Sequence, residues 1–241
     1  MKSIEPDALL LAYRLGVFPM AESREAQEVV WVRPKIRCVL PLDNFHVPKR
    51  LARTVRSDRF DVRCDTAFDV VICNCAKAGP QRGESWINPA ITNVFEELHR
   101  RGHAHSIETW EENELVGGLY GLSIGAAFFG ESMFSSKSDA SKVALVHLAA
   151  RLKLGGYRLM DAQFPNPHLE QFGAIDISEH EFEGMLDKAT VESADFYSFA
   201  RSETGSALGP SPSSANASSS LSGSISSGGG ALVMQLITQA S

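Results

Sequence analysis

Residues 103–133 read HAHSIETWEENELVGGLYGLSIGAAFFGESM, and the choice of fold turns on this stretch. His103 to Glu108 and Glu114 to Met133 carry the β-branched, aromatic and small apolar residues that suit strands, with Glu112-Asn113 as a turn between them. Glycines stand at 117, 118, 121, 125 and 130. Inside a strand a glycine marks a bulge, or a place where another backbone or a ligand approaches closely. Ser138 to Leu154 then reads as a helix with Val143, Ala144, Leu148 and Leu152 inward and Gly155-Gly156 as its stop. After it comes YRLMDAQ, residues 157–163, a short buried strand with an acid and an amide in it. Side chains at i and i+2 of a strand share a face, so Asp161 and Gln163 are expected side by side. A buried carboxylate is costly unless it is paired or used. Antiparallel strands, then a helix, then a strand bearing polar residues predict an α+β protein, with helices flanking a mixed, mostly antiparallel sheet.

Working outward, Pro6 to Leu15 predicts a short helix stopped by Gly16, and Lys35 to Leu42 a strand. Pro48 to Ser57 predicts a helix with Leu51 and Val55 on one side and Lys49, Arg53 and Arg56 on another. Asp65 is expected to cap a helix running through Lys77, with Phe68, Val71, Ile72 and Cys75 as its apolar stripe and the loop Gly79 to Glu84 beyond. Asn88 as cap and Pro89 at the first position open a helix that buries Ile91, Val94, Phe95 and Leu98. His168 to Gly173 reads as a turn or short helix, and Ser178 to Glu181 as a capping box. From Ser202 to Gly230 the chain is dominated by Ser, Gly, Ala and Pro, a linker composition. The apolar end from Ala231 is expected to dock as a strand. No internal repeat is visible.

The chain of 241 residues has no apolar run long enough to span a bilayer and no signal-peptide pattern, so a cytoplasmic, non-membrane protein is expected. Cys38, Cys64, Cys73 and Cys75 are then expected as reduced thiols. The net charge of −6 argues against a general nucleic-acid binder. Between Trp31 and Arg63, however, nine Lys/Arg face three acids, as a confined polyanion-binding patch would require.

Several chemistries are excluded. Phe134 stands where the last glycine of G-x-S-x-G should be, so Gly130-Glu131-Ser132 is no nucleophile elbow. His99, His103 and His105 straddle Gly102 and do not make a metal-ligand spacing. The glycines between 117 and 130 form neither a dinucleotide fingerprint nor a Walker loop. What remains is a concentration of Trp86, Glu131, Ser132, Ser135, Asp161, Gln163, Asn166 and His168 on strand ends and adjoining loops. Glu131 and Asp161 in one pocket would attract a cation and suit proton transfer, with Phe128, Met133, Leu148 and Met160 as an apolar wall.

The runs AYRLGVFPM, AFDVVICNCA, SWINPAI, LHRRGHAHSIETWEENELVGGLYGLSIGAAFFGESMFSSKSDASKVAL, LMDAQ and HLEQFGA together resemble the bacterial leucyl/phenylalanyl-tRNA–protein transferases over about residues 5–187. The resemblance implies a GNAT-like acyltransferase fold. It also implies transfer of leucine or phenylalanine, less often methionine, from aminoacyl-tRNA to the α-amine of proteins beginning with Arg or Lys, which marks them for degradation. It implies no cofactor and no metal, because the aminoacyl ester is already activated. On this basis Asp161 and Gln163 are the expected catalytic pair, the acid accepting or polarising the amine proton and the amide orienting the amine. Glu131, Trp86, Leu119, Phe128, Met133, Ser135, Leu148, Met160 and Asn166 are the expected substrate-binding residues, and Lys49, Arg53 and Arg56 the expected tRNA contacts. The corresponding division is a small N-terminal region over 1–62, a GNAT-like catalytic domain over 63–200, a flexible segment over 201–230 and the apolar segment 231–241. Met20 after Pro19, and Val32 after Trp31, depart from the aromatic residues usual there. Two alternatives stay open: a related transferase acting on N-terminal Asp or Glu, and a GNAT-like enzyme using acyl-CoA. A non-catalytic RNA-binding protein would have no reason to keep Asp161 with Gln163.

Overall fold

Two tight hairpins organise the centre of the protein, which is described as a computed structural model covering residues 3–77, 85–198, 224–225 and 229–238. Strand β5 (Ala104–Glu111) turns through Glu112-Asn113 into β6 (Glu114–Ile124), and both turn residues have positive φ, 51° and 68°. Such a two-residue turn matches the twist of the strands it joins. Gly125, at φ 58°, begins the second hairpin, into β7 (Ala127–Ser135).

Around these lie β3 (Ile36–Val39), β4 (Asp61–Cys64), β8 (Leu159–Asp161), β9 (Ile175–Ser178) and β10 (Ser224–Ile225). The eight strands run in the order β10-β4-β5-β6-β7-β8-β3-β9. Every recorded pairing is antiparallel except β7 with β8. The strands β1 (Phe18–Met20) and β2 (Val30–Val32) form a separate two-stranded sheet. Strand β3, which precedes residue 62, lies within the large sheet.

Helices cover both faces. On one side α1 (Pro6–Arg14), α3 (Phe68–Cys75), α4 (Pro89–Arg100) and α7 (Glu179–Val191) bury a cluster containing Tyr13, Phe68, Phe95, Tyr120, Phe129 and Phe182. On the other side α2 (Lys49–Arg56) and α5 (Ala140–Leu154) bury Leu51, Leu119, Phe128, Leu145, Leu148 and Met160. Adjacent strand residues divide between the two clusters, Leu119 against Tyr120 and Phe128 against Phe129, as the pleat requires. The short α6 is Pro167–Glu170.

Two expectations are corrected. Asp65 does not cap α3. It sits at φ 58° and accepts hydrogen bonds from the Ser106 N–H (2.7 Å) and Tyr197 (2.6 Å), with His105 Nδ1 at 2.8 Å. The start of α3 is held by buried Glu108 of β5, which accepts from Thr66 N (2.9 Å) and Ala67 N (2.8 Å). A cap from a different strand leaves no local sequence signature. The apolar end is not a strand but a helix, α8 (Gly229–Thr238), because Val233, Met234 and Ile237 fall on one helical face and pack among α2 and α5. The loop expected over Gly79–Glu84 and most of the linker expected over 201–230 lie outside the described residues.

Candidate active site

The β7–β8 ladder pairs only Ala127–Phe129 with Leu159–Asp161, and then β8 ends while β7 runs on to Ser135. A cavity of about 290 Å³ lies where the two strands part. Its lining is drawn from both faces of the sheet. Leu40, Leu119, Met133, Leu145, Leu148, Met160 and Leu169 line it from the α5 side, and all pack in or against that side's cluster. Trp86, Tyr120, Glu131, Asp161 and Gln163 line it with Cys75 and Lys77, and of these Trp86, Tyr120 and Cys75 belong to the opposite cluster. One lobe is therefore apolar and the other carries carboxylates and an amide.

Glu131 owes its place to a bulge. Tyr120 pairs with Ser132 and Gly121 with Gly130, so Glu131 is the extra residue on β7. The parity of the strand flips across it: Phe128 and Met133 face the α5 side, Phe129 and Phe134 the other. Bulges of this kind re-aim a side chain beside a site. Gly121 is needed opposite, since a Cβ there would run into Phe128 and the Phe129 carbonyl.

Asp161 is fully buried and held by an arginine that nothing in the local sequence connects with it. Arg37 Nε donates to Oδ1 at 2.9 Å and Nη2 to Oδ2 at 2.6 Å, while Nη1 donates to the Gly16 carbonyl at 2.9 Å. The guanidinium also lies over the rings of Phe18 and Phe182, 4.9 and 4.2 Å from their centroids. Oδ1 accepts a further bond from the Gln163 N–H at 2.9 Å. Asp161 and Gln163 do line one cavity, but not as neighbours on a pleat. The strand stops at Asp161, and Gln163 takes a left-handed conformation, φ 60°, fixed by that bond. Strained backbone of this sort persists where surrounding contacts over-determine it. The Gln163 amide then donates to Glu131 Oε1 at 3.1 Å.

The site's electrostatics follow from burial. Burial pushes the Glu131 carboxyl up to about 8; the Tyr13 hydroxyl beside it works against that, Asp161 adds to it and Arg37 opposes it. Burial also raises Asp161, against the hydrogen bonds and charge of Arg37 and the Gln163 N–H.

Of the other expected binding residues, Leu119, Leu148 and Met160 are buried in the apolar wall, Met133 and Trp86 are partly exposed, and exposed Asn166 caps α6 at the rim. Phe128 is not in the cavity; it is fully buried and stacks on Phe196. Ser135 is not there either: its hydroxyl donates to the Lys137 carbonyl and accepts from Ser141 N, bracing the entry to α5. The basic stretch also resolves into parts. Arg33 pairs with Glu179 and Glu183, Arg37 with Asp161, Arg50 with Asp139, Arg59 with Glu111 and Arg63 with Asp61. Lys35, Lys49, Arg53 and Arg56 have no ion pair among the described residues, and the last three lie on the exposed side of α2.

A cavity with an apolar wall on one side and Glu131, Asp161 and Gln163 on the other has the make-up of an enzyme active site rather than of a bare binding surface. Comparison with known proteins gives the particular family. The family described as leucyl/phenylalanyl-tRNA protein transferase matches residues 39–187, and its N-terminal domain matches residues 2–35. A protein named leucyl/phenylalanyl-tRNA–protein transferase from Rhizorhabdus wittichii is 58% identical over 189 residues, 78% of this chain and 76% of the relative. One of the same name from Phenylobacterium zucineum is 51% identical over 241 residues, the whole of both chains. The chain belongs to the leucyl/phenylalanyl-tRNA–protein transferase family and is an aminoacyltransferase. Among solved structures, FemX covers 75% of this chain and 65% of its own at 11% identity and a TM-score of 0.44. L-PGS from Bacillus licheniformis covers 68% and 53% at 14% identity and a TM-score of 0.37.

Proposed function

We propose that this chain moves leucine or phenylalanine, and less often methionine, from aminoacyl-tRNA to the α-amine of proteins beginning with Arg or Lys, marking them in the cytoplasm for degradation. The observation that carries this reading is the division of the cavity into an apolar lobe and an acidic one. The apolar lobe takes the amino acid's side chain. Leu and Met side chains, none branched at Cβ, line it, so it discriminates by shape, and one methylene is worth only about 1–3 kcal/mol. The acidic lobe takes the basic N-terminus. Acceptors beginning with Asp or Glu are disfavoured because only a cation can draw the proton from Glu131 and pair with it, while a carboxylate gains no such partner.

In the reaction the amine nitrogen attacks the ester carbonyl carbon, the new C–N bond forms and the bond to the ribose oxygen breaks. The amine loses a proton and the ribose oxygen gains one. No input beyond the ester is required, so catalysis rests on alignment and proton handling. Asp161 serves as an anchor rather than as a free base, because its two oxygens already accept three hydrogen bonds. What it anchors is Gln163, whose side chain then spans to Glu131 and orients the amine. Lys49, Arg53 and Arg56 contact the phosphates of the acceptor stem. A GNAT-like architecture is supported by the parallel β7–β8 pair, which diverges at the cavity within an otherwise antiparallel sheet.

The test is to mix the protein with labelled leucyl-tRNA and peptides beginning with Arg, Lys, Asp, Glu or Ala. Label is expected on the Arg and Lys peptides alone. Label on the Asp and Glu peptides instead would overturn the acceptor assignment.

A further inference from the structure

Two phenols flank Glu131: Tyr13 leans its hydroxyl on the carboxyl, while Tyr120 completes no hydrogen bond. Tyr13 of α1 and Tyr120 of β6 are both fully buried, and the Tyr120 hydroxyl has no hydrogen-bond partner among the described residues. Both lie close enough to the Glu131 carboxylate to feel its charge, and Tyr120 lines the cavity. Their rings are held rigidly: Tyr13 meets Phe95 and Phe129 edge-on, and Tyr120 meets Phe68 and Phe95 the same way. A buried hydroxyl left unsatisfied costs stability, and phenylalanine would fill the Tyr120 position without that cost. Nothing in the packing asks for the Tyr120 oxygen. It is explained if a partner arrives from the cavity.

The chemistry of that partner can be read from what surrounds the pair. A phenol donates one hydrogen bond and accepts others, so each hydroxyl can donate toward Glu131 while offering lone pairs to an incoming group. A carboxylate and two phenol oxygens, walled by aromatic rings, suit a cation with several N–H donors. We propose that Tyr120, with Tyr13 behind it, completes the subsite for the acceptor's basic N-terminal residue, holding Glu131 in position and accepting hydrogen bonds from the guanidinium or ammonium. This rests on the acceptor reading given above. It assigns specificity to two residues outside the expected set, and it explains why Glu131 is bulged toward the α1 and β6 side rather than toward α5.

Tyr120→Phe and Tyr13→Phe are each to be assayed with peptides beginning with Arg and with citrulline, the neutral near-isostere of Arg. The KM for the Arg peptide is expected to rise about ten- to a hundredfold, the range of a hydrogen bond to a charged group. The KM for leucyl-tRNA should stay within about threefold, and the citrulline peptide should be used no worse by the variants than by the unaltered protein. Thermal stability of Tyr120→Phe should be unchanged or higher, which a structural role for its hydroxyl would not allow. An unchanged KM for the Arg peptide in both variants overturns the proposal, as does a fall in melting temperature with donor and acceptor KM rising together. If the unaltered protein itself does not distinguish Arg from citrulline, it is the basic-acceptor reading that fails, whatever the variants do.

Discussion

At the residue scale, a fully buried carboxylate survives here because β3 delivers Arg37 to it. Val39 lies opposite Asp161, so Arg37, two residues earlier, stands diagonally on the same face and closes two parallel bonds. Removing one member of such a pair leaves an uncompensated charge and costs about 3–5 kcal/mol, whereas replacing both by apolar groups is often neutral. Arg37→Met should therefore destabilise by about that amount, and the double variant Arg37→Met, Asp161→Leu should regain most of it, both read from denaturant unfolding. Transfer activity should stay low in both, because Gln163 loses the bond that fixes its left-handed backbone. A double variant that is stable and fully active would remove Asp161 from the mechanism. Asp161 is legible in the sequence as an anomaly, an acid in a buried strand. Its partner is not, since 124 residues separate the two and Arg37 reads locally as one more cation in a basic stretch.

At the element scale, α2 has two faces with separate duties. Leu51, Ala52 and Val55 bind it to the core, and the Arg50–Asp139 pair ties it to the entry of α5. That leaves Lys49, Arg53 and Arg56 to solvent. Neutralising all three to Gln should leave the fold intact and weaken binding of aminoacyl-tRNA. The slope of log affinity against log salt should flatten by up to about one for each phosphate that no longer meets a cation. Transfer from a minimal aminoacyl-adenosine should be nearly unaffected; an equal drop with this small donor would end the phosphate assignment. Helical spacing alone foretells this face, as the capping signals foretell the starts of α4 and α7. The bulge that presents Glu131 is foreshadowed only by Gly130 and Gly121, because a glycine shows that something comes close without saying what. The cap of α3 by Glu108 has no local trace at all, being a contact between elements 41 and 42 residues apart.

At the scale of the whole molecule, the chain's last described helix closes over its basic one. The family match ends at residue 187, and α8 lies beyond it. An apolar run with no charge and no strict alternation is compatible with strand or helix, so its conformation is decided by the surface that receives it. That surface is the groove between α2 and α5, where Val233, Met234 and Ile237 are buried beside Leu51, Ala52 and Val55. Gly230 makes the approach possible: its N–H donates to Asp58 Oδ1 at 2.9 Å, and a Cβ there would collide with the Val55 carbonyl. Gly230→Val should therefore lift the start of α8 from the end of α2. Each apolar side chain returned to water forfeits up to about 1.5–3 kcal/mol, and relaxation of the helix should keep the total near the lower figure. The expected result is a lower melting temperature with faster amide exchange along α2, and with it a higher KM for aminoacyl-tRNA. Because the cavity lies where β7 and β8 part, away from this helix pair, transfer from aminoacyl-adenosine should keep its rate. Unchanged exchange in α2 would mean that α8 merely rests on the groove, and the orientation of the basic face would then have to come from α5 and Asp139 alone.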